Sequence, residues 1–197
     1  AANEPAFVGG VSEGRYYVVD STAPVTVTYG GSYADHHLTL QVTFLDETGS
    51  SVFVGGPALF VVADTATATV GQTFVIPTDV FSPQGATELS FRIWDADDRE
   101  FFYSGAASIN DDLTPHAKSV YTKYYDNQGQ KQYSVSIGFE DGRFGGDKDY
   151  NDLLFTINNV SATPLLSRTA PVPEPETYAM LLLGLGMVTA AARRKRR

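Results

Sequence analysis

From Gly14 to about Val160 the chain alternates apolar and polar residues with a period of two and never settles into the 3.6-residue period of a helix. That alternation is the strongest constraint on its fold, because a period of two buries one face of a pleated strand and nothing else. "RYYVVD", "VTVTY", "LTLQVTF", "SVFV", "TFVIP", "LSFRIW", "YSVSIGF" and "LLFTI" read as strands, rich in β-branched and aromatic residues. Turn residues separate them: Gly30–Gly31, "DETG" at 46–49, "SPQG" at 82–85 and "DNQG" at 126–129. Pro57 and Pro77 fall at strand ends, where a missing N–H is tolerated. Many short strands punctuated this way predict an all-β fold over residues 1–160, an antiparallel β-sandwich of jelly-roll type.

With 43% hydrophobic residues the chain can fill a sizeable core, and with no cysteine it excludes disulfides, thiol chemistry and zinc held by thiolates. Its net charge of −9 is unevenly spread. Residues 1–171 hold 21 acidic and 9 basic side chains, a net −12, while the last five residues are all cations. A body so acidic repels nucleic acid, whose binding relies on cationic neutralisation of phosphates. It suits a well-solvated secreted protein or one that collects cations. The first residue is Ala1 rather than Met, which leads to the expectation that numbering starts after a removed export signal.

After Val160 the composition changes. Residues 161–177 contain "SATPLLSRTAPVPEPET", an extended Pro-rich linker. Residues 178–197 follow as a short hydrophobic helix and a basic stop. "YAMLLLGLGMVTAAA" is uncharged over fifteen residues and includes Tyr178, Leu181, Leu182, Leu183, Leu185, Met187 and Val188. Arg193, Arg194, Lys195, Arg196 and Arg197 close the chain. Fifteen helical residues span about 22 Å, short of the roughly 20 residues that cross a hydrocarbon core. The strictly terminal position and the cationic stop nevertheless favour a membrane-engaging segment over a buried core helix. They also place the acidic domain on the outer side. The order of Pro173, Glu174 and Pro175, apolar run and arginine cluster resembles the PEP-CTERM sorting signal of Gram-negative bacteria. That resemblance implies an exosortase-type membrane protease as partner, which removes the helix at the inner membrane. It also implies a final place on the cell surface or in extracellular matrix, in bacteria that make exopolysaccharide and grow in biofilms.

Five carboxylates crowd the thirteen residues from Glu140 to Asp152, within "FEDGRFGGDKDYNDLLF". Like charges at this spacing repel unless something neutralises them. Asp147, Asp149 and Asn151 offer oxygen ligands at positions 1, 3 and 5 of a loop, a spacing suited to Ca²⁺, which takes six to eight oxygens. Gly145 and Gly146 allow the backbone to curl, Asp152 can add or orient a ligand, and Glu140 and Asp141 can complete the shell. It is not an EF-hand: position 6 is Asp152 rather than Gly, position 12 is Asn158 rather than Glu, and a strand-like run follows. Two metal-free readings stand beside calcium. One is a solvated acidic turn; the other is Asp and Asn side chains capping turn amides.

The stretch from Glu88 to Asn158 is similar to the bacterial domain DUF4114. The likeness rests on Phe139-Glu140-Asp141, Gly145-Gly146, then Asp147, Asp149-Tyr150-Asn151-Asp152 before a final strand. It implies a fold and a site, not a reaction. A second acidic cluster, "WDADDRE", holds Asp95, Asp97, Asp98 and Glu100. It either shares ions with the first loop or forms an ordinary polar turn, and Asp111–Asp112 is a third, weaker group.

Catalysis is not expected. No apolar wall singles out one carboxyl for acid–base work, no G-x-S-x-G elbow occurs, and adjacent His36 and His37 point apart. His116 reads as a packed or hydrogen-bonded residue. The expected function is that of an exported, exopolysaccharide-associated surface protein with a calcium-binding loop. The alternative is a calcium-dependent carbohydrate-binding adhesin, with Tyr16, Tyr17, Trp94, Phe101, Phe102 and Tyr103 as candidate stacking faces, although most of these alternate toward the core.

Overall fold

A computed structural model describes residues 5–20, 22–46, 60–76 and 88–162. The linker, the apolar run, the basic stop, the run "SVFV" and the turn "SPQG" lie outside the described residues. Residues 1–164 and 165–197 form two separate units, and the first contains every element described below.

Among the described residues twelve strands follow in chain order: β1 (Gly10–Val11), β2 (Tyr16–Val18), β3 (Val25–Gly31), β4 (Leu38–Leu45), β5 (Phe60–Asp64), β6 (Thr73–Ile76), β7 (Glu88–Asp95), β8 (Glu100–Tyr103), β9 (Ala117–Tyr125), β10 (Lys131–Phe139), β11 (Leu153–Asn158) and β12 (Val160–Ser161). One sheet runs β1-β9-β10-β11-β3-β6; the other runs β12-β2-β7-β4-β5, with β8 also on β7. The paired strands of both sheets are antiparallel. The expected antiparallel sandwich is the architecture found.

Alternation does the folding. In β4 the even positions Leu38, Leu40, Val42 and Phe44 are buried while Thr39, Gln41 and Thr43 face outward. In β11 Leu153, Phe155 and Ile157 are buried, and their neighbours only partly. Phe91 of β7 meets Phe155 of β11 with ring centroids 5.3 Å apart, so an aromatic contact joins the two sheets. Tyr16 and Phe139 extend that cluster at 5.7 and 6.0 Å. Each such ring, moved from water into the core, contributes about 1.5–3 kcal/mol.

Gly30–Gly31, expected as a turn, instead form the last two residues of β3. A Cβ on Gly30 would lie 3.1 Å from Leu154 Cβ, and the β3–β11 register shifts between Leu154 and Phe155. The glycines therefore serve a bulge, where backbones approach closely. The turn at 126–129 is as expected: the Asp126 carboxylate accepts N–H bonds from Gln128 and Gln130, and Gly129 has a positive φ.

Candidate metal centre

β10 ends at Phe139, so Glu140 and Asp141 leave the sheet side by side. A short 3₁₀ turn, Arg143–Gly145, then leads to the loop that re-enters the sheet as β11. Because β10 and β11 pair in register from Phe139↔Leu153 onward, the loop must close on itself, bringing Asp152 back to Asp141. The Asp141 amide donates to Asp152 Oδ2 at 2.8 Å and the Asp152 amide to the Phe139 carbonyl at 3.1 Å.

The curl comes from left-handed residues. Gly145 and Gly146 have φ of 80° and 38°, as their residue type permits. Lys148 and Tyr150 also have positive φ, at 65° and 56°, and such non-glycine residues each cost on the order of 1 kcal/mol or more. Placing every second residue in this conformation brings the carboxylates of Asp147 and Asp149 within reach of Glu140. Gly146 is packed so closely that a Cβ there would fall 2.0 Å from Glu140 Oε1.

Two trios result, each with carboxylate oxygens within 4.8 Å of one another: Glu140, Asp147 and Asp149, and Glu140, Asp141 and Asp152. Glu140 belongs to both and is 2% exposed. Asn151, buried, donates its side-chain amide to Asp149 Oδ2 at 2.8 Å and to the Pro5 carbonyl at 3.3 Å, so it positions Asp149. The amide-capping pattern is present too: besides the Asp141 amide on Asp152, the Asp149 N–H donates to Asp147 Oδ1 at 3.3 Å and the Asn151 N–H to Asp149 Oδ1 at 3.2 Å.

Electrostatics mark the same residues. Burial, reinforced by the Asp152 charge, pushes the Glu140 carboxyl up to about 8 and that of Asp141 to about 7. Asp149 is raised by burial as well. Among the described residues no lysine or arginine ion-pairs with any of the five carboxylates. A cluster of oxygen donors without a lysine or arginine counter-charge, and without thiolates or imidazoles among the two trios, fits a hard cation.

The second acidic cluster is joined to the first. Asp95, fully buried at the end of β7, accepts from His36 Nδ1 at 2.7 Å, and the same nitrogen lies 3.8 Å from Asp141 Oδ2. Asp95 Oδ1 also caps its own turn through the Asp97 and Asp98 amides. The third cluster is a brace. Asp112 Oδ2 accepts from the Phe144 amide and His116 Nε2, while His116 Nδ1 bonds the Glu140 carbonyl at 2.9 Å. Arg143 forms a two-pronged pair with Glu100. His36 and His37 do diverge: His37 Nε2 meets Asp64 instead. The link through His36 had no local sequence signal, since it depends on the β3–β4 loop reaching across to the other sheet.

Of the candidate stacking rings, Tyr16 and Phe102 are core residues, whereas Tyr17, Trp94, Phe101 and Tyr103 are only partly buried. The Asn159-Val160-Ser161 triplet, a glycosylation sequon by spacing, has its amide engaged: Asn159 Nδ2 donates to the Asp20 and Ala23 carbonyls.

Comparison with known proteins finds two matching segments. Residues 171–197 match the PEP-CTERM protein-sorting motif, and residues 78–159 match a domain of unknown function, DUF4114. No curated protein matches by sequence. Among solved structures, the chain is similar to the high-affinity mannose-binding lectin of Ralstonia solanacearum, with 16% identity over 80% of this chain and 96% of that one and a TM-score of 0.34. It is also similar to the Chromobacterium violaceum lectin CV2L, solved with alpha-methyl-fucoside, at 16% identity over 78% and 91% of the two chains and a TM-score of 0.32.

Proposed function

We propose that this exported, exosortase-sorted protein with a DUF4114 domain is a calcium-binding protein of the cell surface or extracellular matrix, its ion held around Glu140. The observation that carries the reading is the buried Glu140 carboxylate shared by two carboxylate trios, with no lysine or arginine paired to either among the described residues and the His36 imidazole reaching only Asp141, at 3.8 Å. Calcium suits the site better than Mg²⁺, which demands a tighter octahedron and keeps several waters. Asp147, Asp149, Asp141 and Asp152 are the remaining carboxylate ligands, with the amide oxygen of Asn151 as a further ligand. The ion removes the repulsion, satisfies the strained loop and ties β10 to β11.

The test is thermal melting of the full chain in mild detergent, with Ca²⁺ or with chelator. Binding at one hundred times Kd stabilises by about 2.7 kcal/mol. For a domain of this size that corresponds to a rise of roughly 5–10 °C. Asp147→Ala and Asp149→Ala are expected to abolish the rise, and an identical melting curve in chelator and calcium leaves only the metal-free readings.

A second reading, calcium-dependent carbohydrate binding, is favoured by one observation. A cleft of about 390 Å³ adjoins the centre, lined by Tyr29, Ser32, Asp35, His36, Thr65 and Asp97. Its volume is within the range of small-ligand pockets and its walls are rich in hydroxyl and carboxylate groups. His36 is common to cleft and centre. Glycan binding that vanishes in chelator supports this reading; glycan binding that survives chelator refutes its calcium dependence. The role proposed is binding rather than turnover. Glu140 is too buried to reach a glycosidic oxygen.

A further inference from the structure

We infer that the outer face of β4, β7 and β8 binds a carboxylate-bearing saccharide, with Arg92 as the anchor for the carboxylate. This site is separate from the acidic loop and does not rest on calcium.

Strand register lines up two rows of side chains on that face. Gln41, Arg92 and Tyr103 form one row, and Thr39, Trp94 and Phe101 form the next. Arg92 is held from three directions. Its Nε donates to Gln41 Oε1 at 2.9 Å, its Nη1 donates to the Tyr103 hydroxyl at 3.3 Å, and its guanidinium carbon sits 3.9 Å from the Phe101 ring centroid. These partners are neutral. In a body with more than twice as many acids as bases, Arg15 and Arg143 each find a glutamate, yet no carboxylate among the described residues ion-pairs with Arg92. A guanidinium has five N–H donors in a rigid fork, and two are committed here, which leaves three. A charged fork already fixed in orientation loses little entropy on binding, and a carboxylate matches it in a bidentate manner.

The neighbouring rings define the rest of the ligand. Trp94 and Phe101 lie 4.5 Å apart, Phe101 and Tyr103 6.3 Å apart, and all three are only partly buried. Tilted by 47° and 43°, they make a stepped aromatic strip beside the guanidinium. Such a strip offers stacking surface to the C–H face of a pyranose while the fork takes a carboxylate on the same sugar. A peptide is disfavoured because β7 is flanked by β4 on one edge and by β2 and β8 on the other, so a strand cannot add beside Arg92. A uronate-containing polysaccharide fits both halves of the site.

Trp94 is the only tryptophan, so its fluorescence reports on this face alone. The full chain is titrated with trigalacturonate in the presence of chelator, which keeps the acidic loop free of calcium and separates this test from the calcium reading. The expected result is a saturable change in emission. Affinity should fall at least tenfold in Arg92→Lys, which keeps the charge and loses the fork, and several-fold in Gln41→Leu, which releases Nε, with melting temperatures unchanged in the variant scored. Maltotriose, inorganic sulfate and tetraglutamate are expected to leave emission unchanged. An absent or non-saturating response, equal affinity in both variants, or an equal response to any of the three control ligands overturns the proposal.

Discussion

Glu140 sits where four other carboxylates converge, and its own side chain is almost wholly out of water. Without a cation, both Glu140 and Asp141 hold protons more tightly folded than unfolded, since their folded values of about 8 and 7 lie above the ordinary 4.5 and 3.8. For these two groups, stability is fully present below the unfolded values and is lost as pH rises through 7 to 8. Calcium requires the ionised forms and reverses that loss. Melting the chain at pH 6 and pH 8.5 is therefore expected to show a lower midpoint at pH 8.5 in chelator and a larger calcium increment at pH 8.5. A calcium increment that does not change with pH would contradict this assignment. Gly146→Ala is expected to remove the calcium response as well, because the new methyl group occupies the position of Glu140 Oε1. Calorimetric calcium titration of that variant checks it. Arg143→Ala, by contrast, breaks a pair whose arginine is exposed, and such pairs contribute about 0–1 kcal/mol, so its melting temperature should scarcely move.

Among the elements, β10, β11 and the loop between them carry the site, and the inter-sheet aromatic cluster holds them in place. Phe155→Ala removes a ring that touches both Phe91 and Phe139, and is expected to cost about 3–5 kcal/mol, read from chemical denaturation. Sequence showed β3, β4, β7 and β11 well, because apolar side chains alternate along each, and β10 was legible from "YSVSIGF", although Ser134 and Gly138 are buried on its other face as well. It did not show β9, since Val120 to Tyr125 are exposed on both faces and carry no alternation to read. β8 was hidden behind the acidic turn that precedes it. The crowding of the loop's five carboxylates was legible, because they lie in one short stretch with a glycine curl. The His36–Asp95 link and the Asp112–His116 brace were not, since both arise from contacts between elements far apart in sequence. Asn159, a sequon by pattern, is instead a structural residue at φ 65°, bonded to the carbonyls of the β2–β3 connection.

At the scale of the molecule, the acidic body and the basic terminus serve different ends. The terminal motif addresses the chain for export and sorting. A net −12 over residues 1–171 draws divalent cations toward the surface and keeps polyanions away except where a fixed arginine receives them. The account depends most on the ion at Glu140, and crystals grown in calcium test it most directly by anomalous scattering. The predicted result is a peak about 2.3–2.6 Å from a Glu140 oxygen and from oxygens of Asp147 and Asp149 or of Asp141 and Asp152. Ordered side chains in that loop, turned away from one another around a centre with no peak, would contradict it.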